Sequence, residues 1–129
     1  MQDDPRTLIP RDKFDTQRAA AAVAAGYPAT APILADLLEW IRDGNWPVAQ
    51  ILAPFLATIG APLVPHIRTV LATNDGLWKY WTLTDVVQRS PEVAAGLRED
   101  LLRCVNHPTP DEAAEGVDEI ARRILRDDR

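Results

Sequence analysis

Asp43-Gly44-Asn45-Trp46 and Asp75-Gly76-Leu77-Trp78 stand 32 residues apart, and each opens a new run of helical hydrophobic spacing. Asp-Gly stops one helix and lets the next begin, so each copy reads as the tight turn of a helical hairpin. Helices on both sides of a turn that recurs with this period are the signature of stacked repeats, in which no hairpin buries its apolar face alone.

Working outward, Asp15 is a good N-cap for a helix over Thr16 to Ala25, which Gly26 ends and Pro28 keeps from restarting. Its alanine-rich body admits a close neighbour. Thr30 then caps a second helix carrying Ile33, Leu34, Leu37, Leu38 and Ile41. Asn45 caps a third, which Gly60 stops, with Pro54 inside it as an expected bend. Pro62 opens a fourth helix, and Asp75 caps a fifth that runs to about Arg89. A sixth follows Ser90-Pro91-Glu92 to Val105, and a seventh starts at Thr109-Pro110-Asp111-Glu112. The fold class is all-α, with about seven helices in antiparallel hairpins wound as a right-handed α-α superhelix. Residues 1–14 read as an extended arm whose Leu8 and Ile9 dock on the first helix, and residues 15–129 as a single helical-repeat domain.

Composition agrees. Hydrophobic residues make up 47% of the 129, with much alanine but only two Phe and two Tyr, which favours close helix packing over a sheet. Nineteen acidic against fourteen basic residues leave a charge of −5, which argues against a general phosphate-tracking surface. Cys104 is the single cysteine and has no internal disulfide partner. The acidic Met-Gln-Asp-Asp start lacks the order of a signal peptide, and charges or prolines interrupt every apolar run before membrane-spanning length, so the expected location is cytoplasmic.

The blocks Leu8-Ile9-Pro10-Arg11-Asp12-Lys13-Phe14-Asp15, Leu38-Glu39-Trp40-Ile41-Arg42-Asp43-Gly44-Asn45-Trp46-Pro47-Val48-Ala49-Gln50 and Trp78-Lys79-Tyr80-Trp81 resemble the DUF5071 family of small bacterial proteins, and Gly116-Val117-Asp118-Glu119-Ile120-Ala121 is a weaker match. The resemblance runs from about Leu8 to Leu125. It implies a HEAT-like helical repeat and, the family being of unknown function, no activity and no catalytic residues.

Once the core positions are set aside, the third helix presents Trp46, Ala49, Gln50 and Ala53, and the fifth presents Trp78, Trp81, Thr82 and Asp85, with Arg89 one turn on. Second helices of stacked hairpins line one side of the array, often the binding side. Indole rings combine apolar area with one donor and dominate many interfaces. Lys79 is placed to meet Tyr80 or another ring as a cation–π partner. The candidate site is thus a groove of Trp46, Gln50, Trp78, Lys79, Trp81, Thr82, Asp85 and Arg89. The competing reading places tryptophans in the seams between repeats, where Trp at a helix start fills the gap beside a turn.

Other constellations lead less far. Cys104 and His107 form a Cys-x-x-His pair without a second ligand pair, so no metal is expected and Cys104 reads as a buried thiol. The neighbours Glu99-Asp100, Asp111-Glu112 and Asp118-Glu119 read as solvated helix faces. No phosphate loop, nucleophile elbow or dinucleotide fingerprint anchors an enzyme, and no cofactor is expected. The function expected is binding of another protein, one with a basic surface, and in its narrower form an inhibitor or immunity-type role. The alternative is a nucleic-acid or nucleobase-binding protein related in outline to HEAT-like DNA glycosylases, which needs a basic rim from Arg42, Arg68, Lys79 and Arg89. A structural subunit whose groove is filled by its own twin is a third possibility.

Overall fold

A computed structural model describes residues 4–127, and among them all regular structure is helical. Nine α-helices follow in order: α1 Thr16–Ala25, α2 Leu34–Glu39, α3 Pro47–Leu56, α4 Val64–Leu71, α5 Gly76–Asp85, α6 Pro91–Gly96, α7 Arg98–Asn106, α8 Pro110–Ala114 and α9 Val117–Asp127. Within the N-terminal arm Pro5–Leu8 form a 3-10 turn rather than extended chain, and Leu8 and Ile9 pack against the core. Its first three residues lie outside the described residues.

The excess over about seven helices comes from two breaks. The expected sixth helix divides into α6 and α7 at Leu97, just after Gly96, where a Cβ would meet the Val64 side chain of α4. The expected seventh divides at Gly116, whose φ of 74° is left-handed and closes α8 before α9 begins. The fifth helix is also shorter than its pattern, ending at Asp85, with Val87–Arg89 in a separate 3-10 turn.

The caps on α1 and α5 follow the sequence. Asp15 accepts the Arg18 N–H at 3.3 Å, and Asp75 accepts the Trp78 N–H at 3.0 Å. On α3 the N-cap is Trp46 with no side-chain cap, in place of the expected Asn45, whose own N–H donates to the Asp43 carboxylate at 2.8 Å within the turn.

Packing carries the 32-residue period into three dimensions. Arg68 of α4 meets Asp100 of α7 at 3.2 Å, Lys79 of α5 meets Asp111 of α8 at 2.8 Å, and each pair is one period apart. The Glu92 carboxylate of α6 accepts the Ala61 N–H at 3.3 Å and fills the space where a Cβ on Gly60 would stand. Helix α1 lies on α3, α2 on α4, and α7 on α9, around a core that includes Leu37, Leu52, Ile67, Leu83, Leu101 and Ile120.

The two Asp-Gly turns show why each holds glycine. Neither has a positive φ, so backbone strain is not the reason. A Cβ on Gly44 would run into the indole of Trp81 and the carboxylate of Asp85, and one on Gly76 into the Asp111 main chain and the Glu115 side chain. Each turn is thus the seat on which the next hairpin's second helix rests. At Gly76 the obstacle is backbone and cannot rotate away. Gly76→Ala is therefore predicted to lower stability by at least about 1–3 kcal/mol in urea unfolding; a variant as stable as the parent would show that the approach is looser than described.

Candidate functional site

Between α3 and α5 lies a surface cleft of about 340 Å³. Helix α3 lines it with Ala49, Gln50, Ala53 and Pro54, α5 with Trp81 and Asp85, and Gly44 and Arg89 close it. The small side chains open the space: Ala49 and Ala53 face a bulky Trp81 that Gly44 allows to approach. The structure therefore brings together Gln50, Trp81, Asp85 and Arg89 of the predicted groove. Gly44 and Pro54 join them, although neither stood out in the sequence as a site residue.

The other four predicted residues lie elsewhere. Trp78 fills a seam, its indole N–H donating to the Leu38 carbonyl of α2 at 2.9 Å. Trp46 packs on Trp40 with ring centroids 6.0 Å apart and carries the Arg42 guanidinium over its ring. Thr82 is fully buried. Lys79 is only 1% exposed and is not a cation–π partner: its Nζ donates to Asp111 at 2.8 Å and to Glu112 at 2.9 Å. The reason is register. The buried stripe of α5 runs through Gly76, Lys79, Thr82 and Leu83, so the lysine stem lies in the core and its head meets the start of α8.

This corrects the reading of Asp111 and Glu112 as a solvated face. Glu112 is wholly buried and accepts from Arg103 through both oxygens, at 2.8 and 2.7 Å, from Lys79, and from the Thr109 N–H at 3.0 Å. Burial pushes its carboxyl up, but the Arg103, Thr109 and Lys79 donors outweigh that and hold it at about 2. For Asp111 burial again acts upward, and Lys79 and Thr109 reverse it to a lowered pKa. Cys104 beneath this cluster is buried, as expected, and burial together with the Glu112 charge pushes its thiol up to about 11. At neutral pH it is a thiol, a poor nucleophile. The sequence signal that was missed is opposite charge one repeat apart, Lys79 against Asp111.

Asp85 is the contrast. It is half-buried in the cleft, and among the described residues no donor reaches its carboxylate; desolvation raises its pKa and the nearby Arg89 charge only partly opposes that. It also stands at the C-terminal end of α5, where the helix dipole disfavours a negative charge. Behind it, the Trp81 N–H and the Thr82 and Thr84 hydroxyls are buried without partners among the described residues, and the Trp81 ring meets Tyr80 edge-on at 5.3 Å. Pro54 brings no N–H, so the Gln50 carbonyl lacks its usual donor one turn on. Of these groups the cleft wall holds Asp85 and Trp81, an acid and a buried N–H that meet no hydrogen-bond partner among the described residues, and such groups in native structures call for a reason outside folding.

Two outcomes follow for the Lys79 cluster. Lys79→Ala leaves the buried Glu112 with Arg103 as its one cation among the described residues and takes from Asp111 its ion pair, and is predicted to cost about 3–5 kcal/mol, read as a lowered urea midpoint. Because Glu112 sits at about 2 in the folded chain against an ordinary 4.5, its contribution is full above about 4.5 and fades as pH falls toward 2. Parent stability is predicted to drop by on the order of 3 kcal/mol across that window, and Glu112→Gln, already weaker at neutral pH, to show a shallower fall. Equal slopes in the two chains would contradict this.

No curated protein matches the chain. The profile of a domain of unknown function, DUF5071, matches residues 8–125 of the 129. The chain belongs to the DUF5071 family.

Proposed function

We propose that the chain is a HEAT-like repeat module of the cytoplasm, its hairpins wound as a right-handed superhelix, which binds another protein through the α3–α5 cleft. The observation that carries this reading is the Asp85 carboxylate, held half-buried at a helix C-terminus without a donor among the described residues. A fold selected for stability alone gains nothing from such a group, whereas a partner's cation satisfies it. Trp81 beside it supplies the large apolar area of an interface anchor. An inhibitor or immunity-type role is the narrower form of the proposal.

The nucleic-acid reading draws less support. Of its four rim cations Lys79 is buried in ion pairs, Arg68 is tied to Asp100, and Arg42 is bonded to the Glu39 carbonyl, which leaves Arg89 at the cleft. Salt-sensitive binding of an oligonucleotide would reverse that preference.

The test is a native pull-down from host lysate, comparing the parent with a Trp81→Ala, Asp85→Ala double variant whose melting temperature has been checked. A protein with a basic surface, retained by the parent and lost from the folded variant, is the expected result. The same proteins recovered by both, or by neither, would remove the cleft from the account of binding.

A further inference from the structure

The partner's contact group can be specified further, given the reading of the cleft as a protein-binding site. Asp85, the end of α5 and the Gln50 carbonyl give the inner wall acceptors and negative potential, beside the buried Trp81 N–H and the Arg89 guanidinium at the rim. The Asp85 carboxylate has no donor among the described residues. The last carbonyls of α5 bring the negative end of its dipole to the same place. Across the cleft, the Gln50 carbonyl is left without an i+4 donor by Pro54, and the Gln50 side chain adds an exposed amide.

The second junction of the molecule shows how this chain satisfies such a place. There Asp111, whose main chain abuts Gly76, and its neighbour Glu112 are met by a buried cation, Lys79. One repeat earlier the position of Lys79 is held by Pro47, and the cation at the first junction, Arg89, stands exposed and makes no hydrogen bond or ion pair with Asp85 among the described residues.

We propose that the cleft receives a single arginine side chain of the partner, its guanidinium donating to Asp85 and to Gln50 from opposite walls and its plane lying against Trp81. A guanidinium suits this arrangement better than an ammonium. It is planar, presents five donors in a fixed fork that reaches acceptors on two sides, stacks on an indole, and leaves water more readily. The volume of about 340 Å³ is at the small end for ligand sites, right for one side chain. Arg89 stands exposed at the rim and opposes an incoming cation through space. Its effect gives the proposal a sign: a cationic ligand gains when Arg89 is neutralised, and an anionic ligand loses.

The experiment is an NMR titration of the full chain with N-acetyl-argininamide, a blocked arginine without a carboxylate. Perturbation of the Gly44, Gln50 and Asp85 amides is expected, with a dissociation constant on the order of millimolar, while Gly96 and Cys104 stay unmoved. Asp85→Asn is expected to weaken binding roughly tenfold or more, and Arg89→Gln to tighten it about two- to threefold. The blocked lysine analogue should bind more weakly. Absence of saturable shifts at the cleft in the parent chain overturns the proposal without recourse to any variant. Tighter lysine binding, an Asp85→Asn chain that binds equally well, or weakening by Arg89→Gln overturns it too. A partner captured through Trp81 by a chain that ignores argininamide would sink this inference and leave protein binding standing. Asp85-dependent argininamide binding with no partner captured would uphold it and remove the broader reading.

Discussion

Two glycines without a Cβ, Gly44 and Gly76, set how closely each hairpin can rest on the turn before it, and the rest of the molecule is arranged around those two seats. Helix propensity alone does not hold short helices together, since pieces of six to ten residues such as α2 and α5 are too short to persist unaided. What holds them is the burial of one hairpin against the next. An Asp-Gly turn that looks like a local device for reversing the chain is therefore a long-range contact.

The two seats are used differently. At Gly76 the arriving helix α8 brings Asp111 and a buried Glu112, and the chain neutralises them from within through Lys79 and Arg103. That junction is closed, charged and saturated, and it anchors the terminal hairpin. At Gly44 the arriving helix α5 brings Trp81 and Asp85 against the small side chains of α3, and nothing in the described residues completes them. The same geometry gives scaffold in one place and an unsatisfied surface in the other. Where the later copy has Lys79 the earlier has Pro47, and the cation that does stand at the first junction, Arg89, is exposed at the rim.

Much of this was readable before any coordinates. The helical class, the caps at Asp15, Asp75 and Thr109 and the buried thiol all follow from local chemistry, and local chemistry acts the same way in every fold. Gln50, Trp81, Asp85 and Arg89 emerged as the face left over after the core was assigned, and they do share a cleft. Lys79 and Thr82 were misplaced because a charged and a hydroxyl side chain were assumed to leave the core, while the helix turns them inward. Asp111 and Glu112 were misread for the same reason: adjacent carboxylates look solvated unless their partner a full repeat away is considered. The breaks at Leu97 and Gly116 were hidden because the apolar pattern continues across them, and only the neighbouring packing and the backbone angle show the interruption. Trp78 was undecided between groove and seam, and its bond to the Leu38 carbonyl places it in the seam.

The central claim is that the first junction exposes an acid the fold has left without a partner. It is tested most directly by the pKa of Asp85 itself, followed through its side-chain carboxyl carbon by NMR in the free protein. The account predicts a value above the ordinary 3.8, because desolvation outweighs the Arg89 charge and no donor intervenes. A value at or below 3.8 would mean that the carboxylate is already satisfied in the free chain, and the cleft would then be scaffold like its counterpart at Gly76.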